Sequence, residues 1–455
     1  MPNFLNGQTA QMNNTIAAIA TPTGYGGVGI VRVSGAAVKE IAQSVLRRLP
    51  EPRKASYVGF FDQHNALIDR GIALFFPAPH SFTGEDILEL QGHGGPIVMD
   101  MLLTAVLKAG ARQARPGEFS ERAFLNDKLD LAQAEAVADL IDATSVHAAR
   151  AAQRTLQGVF SSIVNDILGE LTAVRAYVEA ALDFPDEEID FLADPAIKTR
   201  ISTIKHLLAD AISNARTGSL LRDGIHVAIL GAPNVGKSSL LNRLARRDVA
   251  IVTDIPGTTR DVLGERIMLK DVPLHVHDTA GLYKSTDPVE QEGIRRAKRV
   301  SEESDLVLWM LDDREPFRPQ DAPVTGQSLL VVSNKCDLSK RTAGLAKDID
   351  SDIPVVRISA LTGAGIEVLE SMMLEQAGYR TQGDGDYSAR RRHVDALDRT
   401  QQYLTASLHA LQSKTGAELA AEELRLAQHA LGEITGAFHA DDLLGKIFSS
   451  FCIGK

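Results

Sequence analysis

The segment Gly231-Ala-Pro-Asn-Val-Gly-Lys237-Ser238 constrains this chain more than any other stretch. An apolar run, Val227 to Leu230, leads into it and reads as a buried strand, and Ser239-Leu-Leu-Asn-Arg-Leu244 follows as the opening of a helix. Strand, Gly-rich loop and helix in that order are the context of a phosphate-binding P-loop. The glycines let backbone N–H groups turn inward, so Asn234, Val235, Gly236, Lys237, Ser238 and Ser239 line the cradle. Lys237 reaches the β- and γ-phosphates and the Ser238 hydroxyl ligates Mg²⁺. The loop begins at residue 231 of 455, so over two hundred residues precede it and nucleotide binding is only part of what the chain does.

A chain of 455 residues is expected to form two to four domains. With 48 Lys+Arg against 59 Asp+Glu the balance is acidic, which argues against a general polyanion binder; nucleic acid would have to meet a local patch. Arg390-Arg-Arg-His393 and Arg295-Arg-Ala-Lys-Arg299 are the densest basic runs, and such runs are usually solvated helix faces. Two cysteines, Cys336 and Cys452, exclude a disulfide framework or a cysteine-only zinc site and suit a reducing compartment. The polar start, Met1 to Asn14, lacks the pattern of a signal peptide, and no apolar run has membrane-spanning length. The expectation is a soluble cytoplasmic protein with no membrane contact.

Residues 1–120 carry short apolar runs punctuated by Gly and Pro, such as Val28–Val33, Gly71–Phe76 and Ile87–Leu90, with a helical pattern over Ile97–Leu107. They predict a small α+β domain. From residue 121 the texture turns to Ala, Leu, Glu and Gln at three-to-four spacing, a run of long helices broken by the acidic Phe184–Phe191 and resumed over Ala196–Arg216. Residues 224–380 alternate strand and helix, with strands at His226–Leu230, Leu274–His277, Asp305–Leu311, Ser328–Ser333 and Val355–Ser359. That alternation predicts a parallel sheet with helices on both faces. After the linker Thr381–Asp386 the helical texture returns over Arg390–Ile434. The economical reading is one all-α domain, 121–223 and 381–455, interrupted by an inserted α/β P-loop domain of the Ras-like type.

Three further motifs specify the nucleotide. Asp278-Thr279-Ala280-Gly281 follows a strand; Asp278 would hold Mg²⁺ through water and the Gly281 N–H would meet the γ-phosphate. In Asn334-Lys335-Cys336-Asp337, the Asp337 carboxylate can accept from guanine N1–H and the 2-amino group together while the Lys335 stem packs across the purine. Adenine would leave that carboxylate unpaired, a discrimination of roughly 10⁴-fold or more. Ser359-Ala360 can offer a backbone N–H to guanine O6. Thr253-Asp254-Ile255-Pro256-Gly257-Thr258-Thr259-Arg260-Asp261 lies where a switch loop senses the γ-phosphate, with Thr259 supplying a second hydroxyl to Mg²⁺. GTP is therefore the expected ligand. Many GTPases place a Gln directly after Asp-x-x-Gly to orient the attacking water; here Leu282 stands there, so water must be positioned from elsewhere.

These residues, together with Gly24-Tyr-Gly-Gly-Val-Gly29, Ser81-Phe-Thr-Gly-Glu-Asp86, the run from Arg115 to Asp130 and the terminal Phe451-Cys-Ile-Gly-Lys455, make the chain resemble the MnmE (TrmE) family of tRNA-modifying GTPases over essentially its whole length. The resemblance implies a folate-binding-like N-terminal domain that forms a homodimer and takes a 5-formyltetrahydrofolate-type cofactor, with Arg32, Glu89, Lys128 and Lys455 as contacts. It implies K⁺-activated hydrolysis driven by G-domain dimerisation. The matching K⁺ ligands are the Asn234 side chain and carbonyls at Thr253, Ile255 and Thr258, and Glu290 is the matching water-orienting catalytic residue. Tyr283 to Thr286 depart from the commoner pattern after Asp-Thr-Ala-Gly-Leu. The resemblance further implies an FAD-dependent partner, MnmG (GidA), in a heterotetramer-type complex, and addition of a carboxymethylaminomethyl-type group to C5 of the wobble uridine of certain tRNAs. Cys452 is either a nucleophile or a small residue packed near the folate pocket. The competing class is a regulatory GTP switch that docks RNA or ribosome-assembly partners; the N-terminal domain and the terminal Cys-x-Gly-Lys speak against it, since a simple switch needs neither.

Overall fold

The computed structural model describes residues 15–183, 194–245, 266–278, 304–319, 322, 328–349, 351–379, 387–412, 416–437 and 441–454. They gather into two compact units, Met1–Ala138 with Gly432–Lys455, and Asp139–Leu431.

The first unit is built on strands β1 (Ile16–Ile19), β2 (Gly26–Ser34), β3 (Ser56–Phe61), β4 (Leu67–Phe76), β5 (Ile87–Gly94) and β6 (Arg112–Gln113), in the order β3-β4-β5-β2-β1-β6. Side chains alternate faces along a strand. Val31, Val33, Leu88 and Leu90 are fully buried and face helices α1 (Val38–Leu46) and α2 (Pro96–Lys108). Arg32 and Glu89, which pair across β2 and β5, therefore point to the opposite face. There Ile16, Ala18 and Ala114 bury Phe119 of helix α3 (Glu118–Leu125). Helix α4 (Leu131–Asp142) lends Leu131 and Ala134 to a cluster with Phe448 and Phe451, at and just beyond the last helix of the chain (Asp441–Ser449). The sequence patterns over Val28–Val33, Gly71–Phe76, Ile87–Leu90 and Ile97–Leu107 are β2, β4, β5 and α2; β1, β3, α1 and the last helix lie outside them, although Val38, Ile41, Ala42, Val45 and Leu46 of α1 are buried at helical spacing.

In the second unit, α5 (Val146–Leu156), α6 (Val159–Asp183) and α7 (Pro195–Asp223) pack together. On α6, Val164, Ile167, Leu171, Val174 and Val178 are buried at alternating three- and four-residue spacing, one stripe of the helix. Phe160 stacks on Tyr387 at 4.5 Å, and the Tyr387 hydroxyl donates to the Ala211 carbonyl at 2.9 Å. Gly218 admits this contact: a Cβ there would lie 2.0 Å from the Tyr387 carbonyl oxygen.

From Gly224 the chain enters a seven-stranded sheet. Its strands are β7 (Ile225–Gly231), β8 (Arg266–Leu269), β9 (Val272–Asp278), β10 (Leu306–Asp312), β11 (Ser328–Asn334), β12 (Gly344–Leu345) and β13 (Val355–Ile358), ordered β12-β13-β11-β10-β7-β9-β8. The five inner strands are mutually parallel, as the alternation predicts. The two edges, β8 and β12, run antiparallel, so the sheet is mixed rather than wholly parallel. Helices α8 (Lys237–Ala245) and α10 (Ile366–Gln376) and the one-turn α9 (Cys336–Ser339) follow β7, β13 and β11. The chain then returns through α11 (Arg391–Ala410) and α12 (Ala417–Thr435), with the last helix as α13.

Candidate nucleotide-binding site

The site forms where the inner strands β7, β10, β11 and β13 end, the side on which ligands of open α/β sheets bind. β7 ends at Gly231 and α8 starts at Lys237, so the loop between them presents its N–H groups at a helix N-terminus. Gly236 adopts φ 102°, and a Cβ on it would come within 2.2 Å of Asn334 Nδ2. Asn234 at the crest is left-handed, with φ 63°. The Lys237 ammonium folds onto its own loop, donating to the Gly231 carbonyl at 2.8 Å and the Ala232 carbonyl at 3.1 Å. Ser238 and Ser239 are exposed in the first turn of α8, and a hydroxyl there is the hard oxygen donor that Mg²⁺ prefers.

The guanine motif is stitched to this loop. Asn334 is buried; its Nδ2 donates to the Val235 carbonyl at 2.7 Å and its Oδ1 accepts from the Ala360 N–H at 2.9 Å. One side chain thus joins the P-loop, β11 and the loop after β13. The Ser359 N–H donates to the Ala364 carbonyl at 2.9 Å, so both N–H groups of Ser359-Ala360 are engaged within the protein, and a guanine O6 would share the Ala360 donor. Asp337 is exposed on the α9 turn, with its carboxylate available to a base. Lys335, left-handed at φ 71°, donates to the Asn234 carbonyl at 2.8 Å and to Asp312 Oδ2 at 2.9 Å.

Two acids outside the sequence motifs, Asp312 and Asp313, complete the base side. Asp312 also accepts from Arg314 Nε at 2.9 Å and from its terminal nitrogen at 2.7 Å. The Arg314 hydrogen bonds, against partial desolvation and with help from Lys335, hold the Asp312 carboxyl far below the usual carboxylate range. Asp313 is buried, accepts from Ser333 at 2.6 Å and from Ser339, and so braces both ends of the Asn334–Asp337 segment. The signal was present: acids at the carboxyl end of an inner parallel strand sit at the ligand crevice.

Thr253, Asp254, Ile255, Pro256, Gly257, Thr258 and Thr259, then Thr279, Ala280, Gly281, Glu290 and Lys455, lie outside the described residues, as does the Asp278 side chain. In the first unit, Arg32 meets Glu89 at 2.9–3.0 Å with only 25% and 15% of their side chains exposed. Arg32 lies 5.8 Å from the ring centres of Phe82 and Phe119 and donates to the Gly454 carbonyl at 3.4 Å. Lys128 is exposed, and its Cε would lie 3.1 Å from a Cβ on Gly84 in the same Ser81–Asp86 loop that carries Phe82. Cys452 is exposed, and its carbonyl accepts from the Gly117 N–H at 3.4 Å.

A P-loop at the end of the inner strand β7, tied through Asn334 to an Asn-Lys-x-Asp base motif, defines a P-loop GTPase. Residues 131–452 match the family model described as MnmE helical domain, and residues 15–128 match the one described as GTP-binding protein TrmE N-terminus. The chain is 53% identical to the tRNA modification GTPase MnmE of Proteus mirabilis, covering 97% of this chain and 99% of that one. It is 53% identical, with the same coverage, to the protein of that name from Erwinia tasmaniensis. The Coxiella burnetii protein of that name is 52% identical, covering 97% and 98%. The chain belongs to the MnmE family of tRNA modification GTPases, and it is a GTP hydrolase. Among the described residues no helix is long and apolar enough to cross a membrane.

Proposed function

We propose that this chain is a K⁺-activated, Mg²⁺-dependent GTPase. In this reading it acts as a cytoplasmic homodimer with an FAD-dependent MnmG-type partner to add a carboxymethylaminomethyl-type group to C5 of the wobble uridine of certain tRNAs. Its helical domain, 121–223 and 381–455, is interrupted by the G domain, 224–380, and follows the folate-binding and dimerisation domain, 1–120.

The observation that carries the reading is Asn234. It is an exposed carboxamide at the crest of the P-loop, where most residues need only be small, and its left-handed backbone is fixed from behind by Lys335. Its amide oxygen is a neutral hard donor suited to a monovalent cation. Such an ion, completed by carbonyls of Thr253, Ile255 and Thr258, would stand where other GTPases insert an arginine, supplying positive charge against the leaving phosphates. G-domain pairing would order that loop, and Ser238 and Thr259 would hold the Mg²⁺.

The Arg32–Glu89 pair supports the folate assignment. A half-buried carboxylate suits the paired amino and N–H donors of a pterin ring, while Arg32, Lys128 and Lys455 offer cations to a glutamate tail. Bound formyl-folate would supply the one-carbon unit; the protein binds and orients it.

Steady-state GTP hydrolysis in KCl and NaCl at equal ionic strength tests the proposal. A rate at least about tenfold higher in KCl, lost in Asn234→Ala, is the expected result, in line with the large rate effects of an added transition-state cation. Equal rates in the two salts would remove the K⁺ loop. Absence of saturable formyl-folate binding by the purified protein would remove the folate assignment.

A further inference from the structure

We infer that Asp312 is a positioning residue for guanine-nucleotide binding: it fixes the Lys335 side chain in place before nucleotide arrives. The inference rests on the reading of Lys335 as the residue whose stem covers the purine.

Lysine carries about 2 kcal/mol of rotamer entropy, and its ammonium rotates freely without partners. Here the ammonium spans two acceptors, the Asp312 carboxylate at 2.9 Å and the Asn234 carbonyl at 2.8 Å. The ammonium is thereby pinned to the end of β10 and the crest of the P-loop, which fixes the free end of the stem. A side chain ordered in the free protein does not have to be ordered on binding, and that raises affinity. The Asp312 carboxylate itself is only 10% exposed, so its geometry is fixed by its surroundings.

A carboxylate lining the nucleotide site would by itself repel an anionic ligand. The ion pair with Lys335 already balances that charge, and Arg314 adds a second cation. Its guanidinium takes the same carboxylate through two hydrogen bonds, so Asp312, Arg314 and Lys335 together carry one net positive charge. Arg314 is 56% exposed and, among the described residues, bonds neither the P-loop nor Lys335, which makes it a control for disruption of the turn.

The test is the affinity of the full-length protein for fluorescent GDP, with GTP hydrolysis measured alongside, in Asp312→Asn, Asp312→Glu, Arg314→Gln, Lys335→Ala and the Asp312→Asn/Lys335→Ala pair. Asp312→Asn is expected to raise Kd and the KM for GTP about tenfold with kcat retained, and Asp312→Glu to restore part of the affinity. The double variant is expected to bind no more weakly than Lys335→Ala alone, because the two residues act as one unit. Additive losses, or an Arg314→Gln loss equal to that of Asp312→Asn, would overturn the assignment. So would wild-type affinity in Asp312→Asn while Lys335→Ala is weakened. Wild-type affinity in Lys335→Ala would instead overturn the reading of Lys335 on which the inference stands.

Discussion

Asp139 and Arg390 are 251 residues apart in the chain and 2.8 Å apart in the fold. Asp139, near the end of α4, is 5% exposed, and its carboxylate also accepts from Arg222 Nε at 2.7 Å and from the Ser388 hydroxyl at 2.8 Å. Arg222 lies in the last turn of α7, just before the chain enters β7. Ser388 and Arg390 lie just before α11, after the sheet is complete. One buried carboxylate thus clasps both the entry to the nucleotide-binding sheet and the exit from it. The Ser388 backbone is held as well, its N–H by the Ala151 carbonyl at 3.1 Å and its carbonyl by the Thr155 hydroxyl at 2.9 Å. A cavity of ≈ 120 Å³ lined by Asp139, Thr144, Arg222 and Ser388 adjoins the clasp.

Asp139→Asn keeps the shape and removes the charge, leaving two guanidinium groups beside a neutral amide. Breaking a buried ion pair on one side costs about 3–5 kcal/mol; with Arg222 one-third exposed, about 2–4 kcal/mol is expected here. The P-loop lies at the far end of β7, about 20 Å away along the seven residues of the strand, so GDP affinity should stay within about twofold. Calorimetric unfolding of the variant with and without GDP measures both. An unchanged melting temperature would show that the clasp contributes nothing.

Gly236→Ala should disable nucleotide binding. The residue is at φ 102°, and the added methyl would lie 2.2 Å from Asn334 Nδ2, the atom that ties the P-loop to the base motif. Backbone strain of roughly 1–3 kcal/mol adds to the displaced hydrogen bond, so a loss of about 100-fold or more in GDP affinity is expected by titration calorimetry. Affinity within a few-fold of the parent would mean that the loop relaxes without losing its form.

Much of this architecture is legible in the sequence because its signals are local. The P-loop, the five inner strands and the buried stripe of α6 each follow from periodicity and from Gly, Lys and Ser at fixed offsets. The edge strands β8 and β12 were not legible: they are four and two residues long, too short for a pattern. Asp312, Asp313 and Asp139 were not legible either. An acid reads alike whether it is solvated or clasped between distant arginines, and only the fold brings Arg222 and Arg390 to Asp139. Arg32 and Glu89 look like ordinary strand charges until their β2–β5 register pairs them and sets Arg32 over the rings of Phe82 and Phe119.

Leu282 occupies the position where many GTPases carry the water-orienting Gln, and a leucine cannot hold water. We propose that Glu290, the residue the family resemblance implies, takes that task. Glu290→Ala should therefore leave the Kd for GTP within about twofold and lower kcat by roughly 10²-fold or more, the usual worth of a positioned base. Single-turnover hydrolysis with a parallel binding titration separates the two. Weakened binding with kcat intact would make Glu290 a helix cap.

The acid stability of the first unit should depend on Glu118. Its side chain is 3% exposed. Burial pushes its carboxyl up, but the hydrogen bonds from Arg112 and the Arg115 N–H and the charges of Arg112 and Arg122 outweigh that and bring it down to about 2, from an ordinary 4.5. The lowered value means that the folded form keeps the group charged where the unfolded chain would protonate it. The stabilisation is thus fully present above about pH 4.5 and is lost as the pH falls from there to about 2. At about 1.4 kcal/mol per unit, the loss is of order 3 kcal/mol. Urea unfolding followed by circular dichroism at pH 7 and pH 3 should show a marked fall in the midpoint for the parent protein. Glu118→Gln should start lower at pH 7 and fall less, since its amide does not titrate. A variant whose midpoint drops as steeply as the parent's would place the acid sensitivity on other carboxylates.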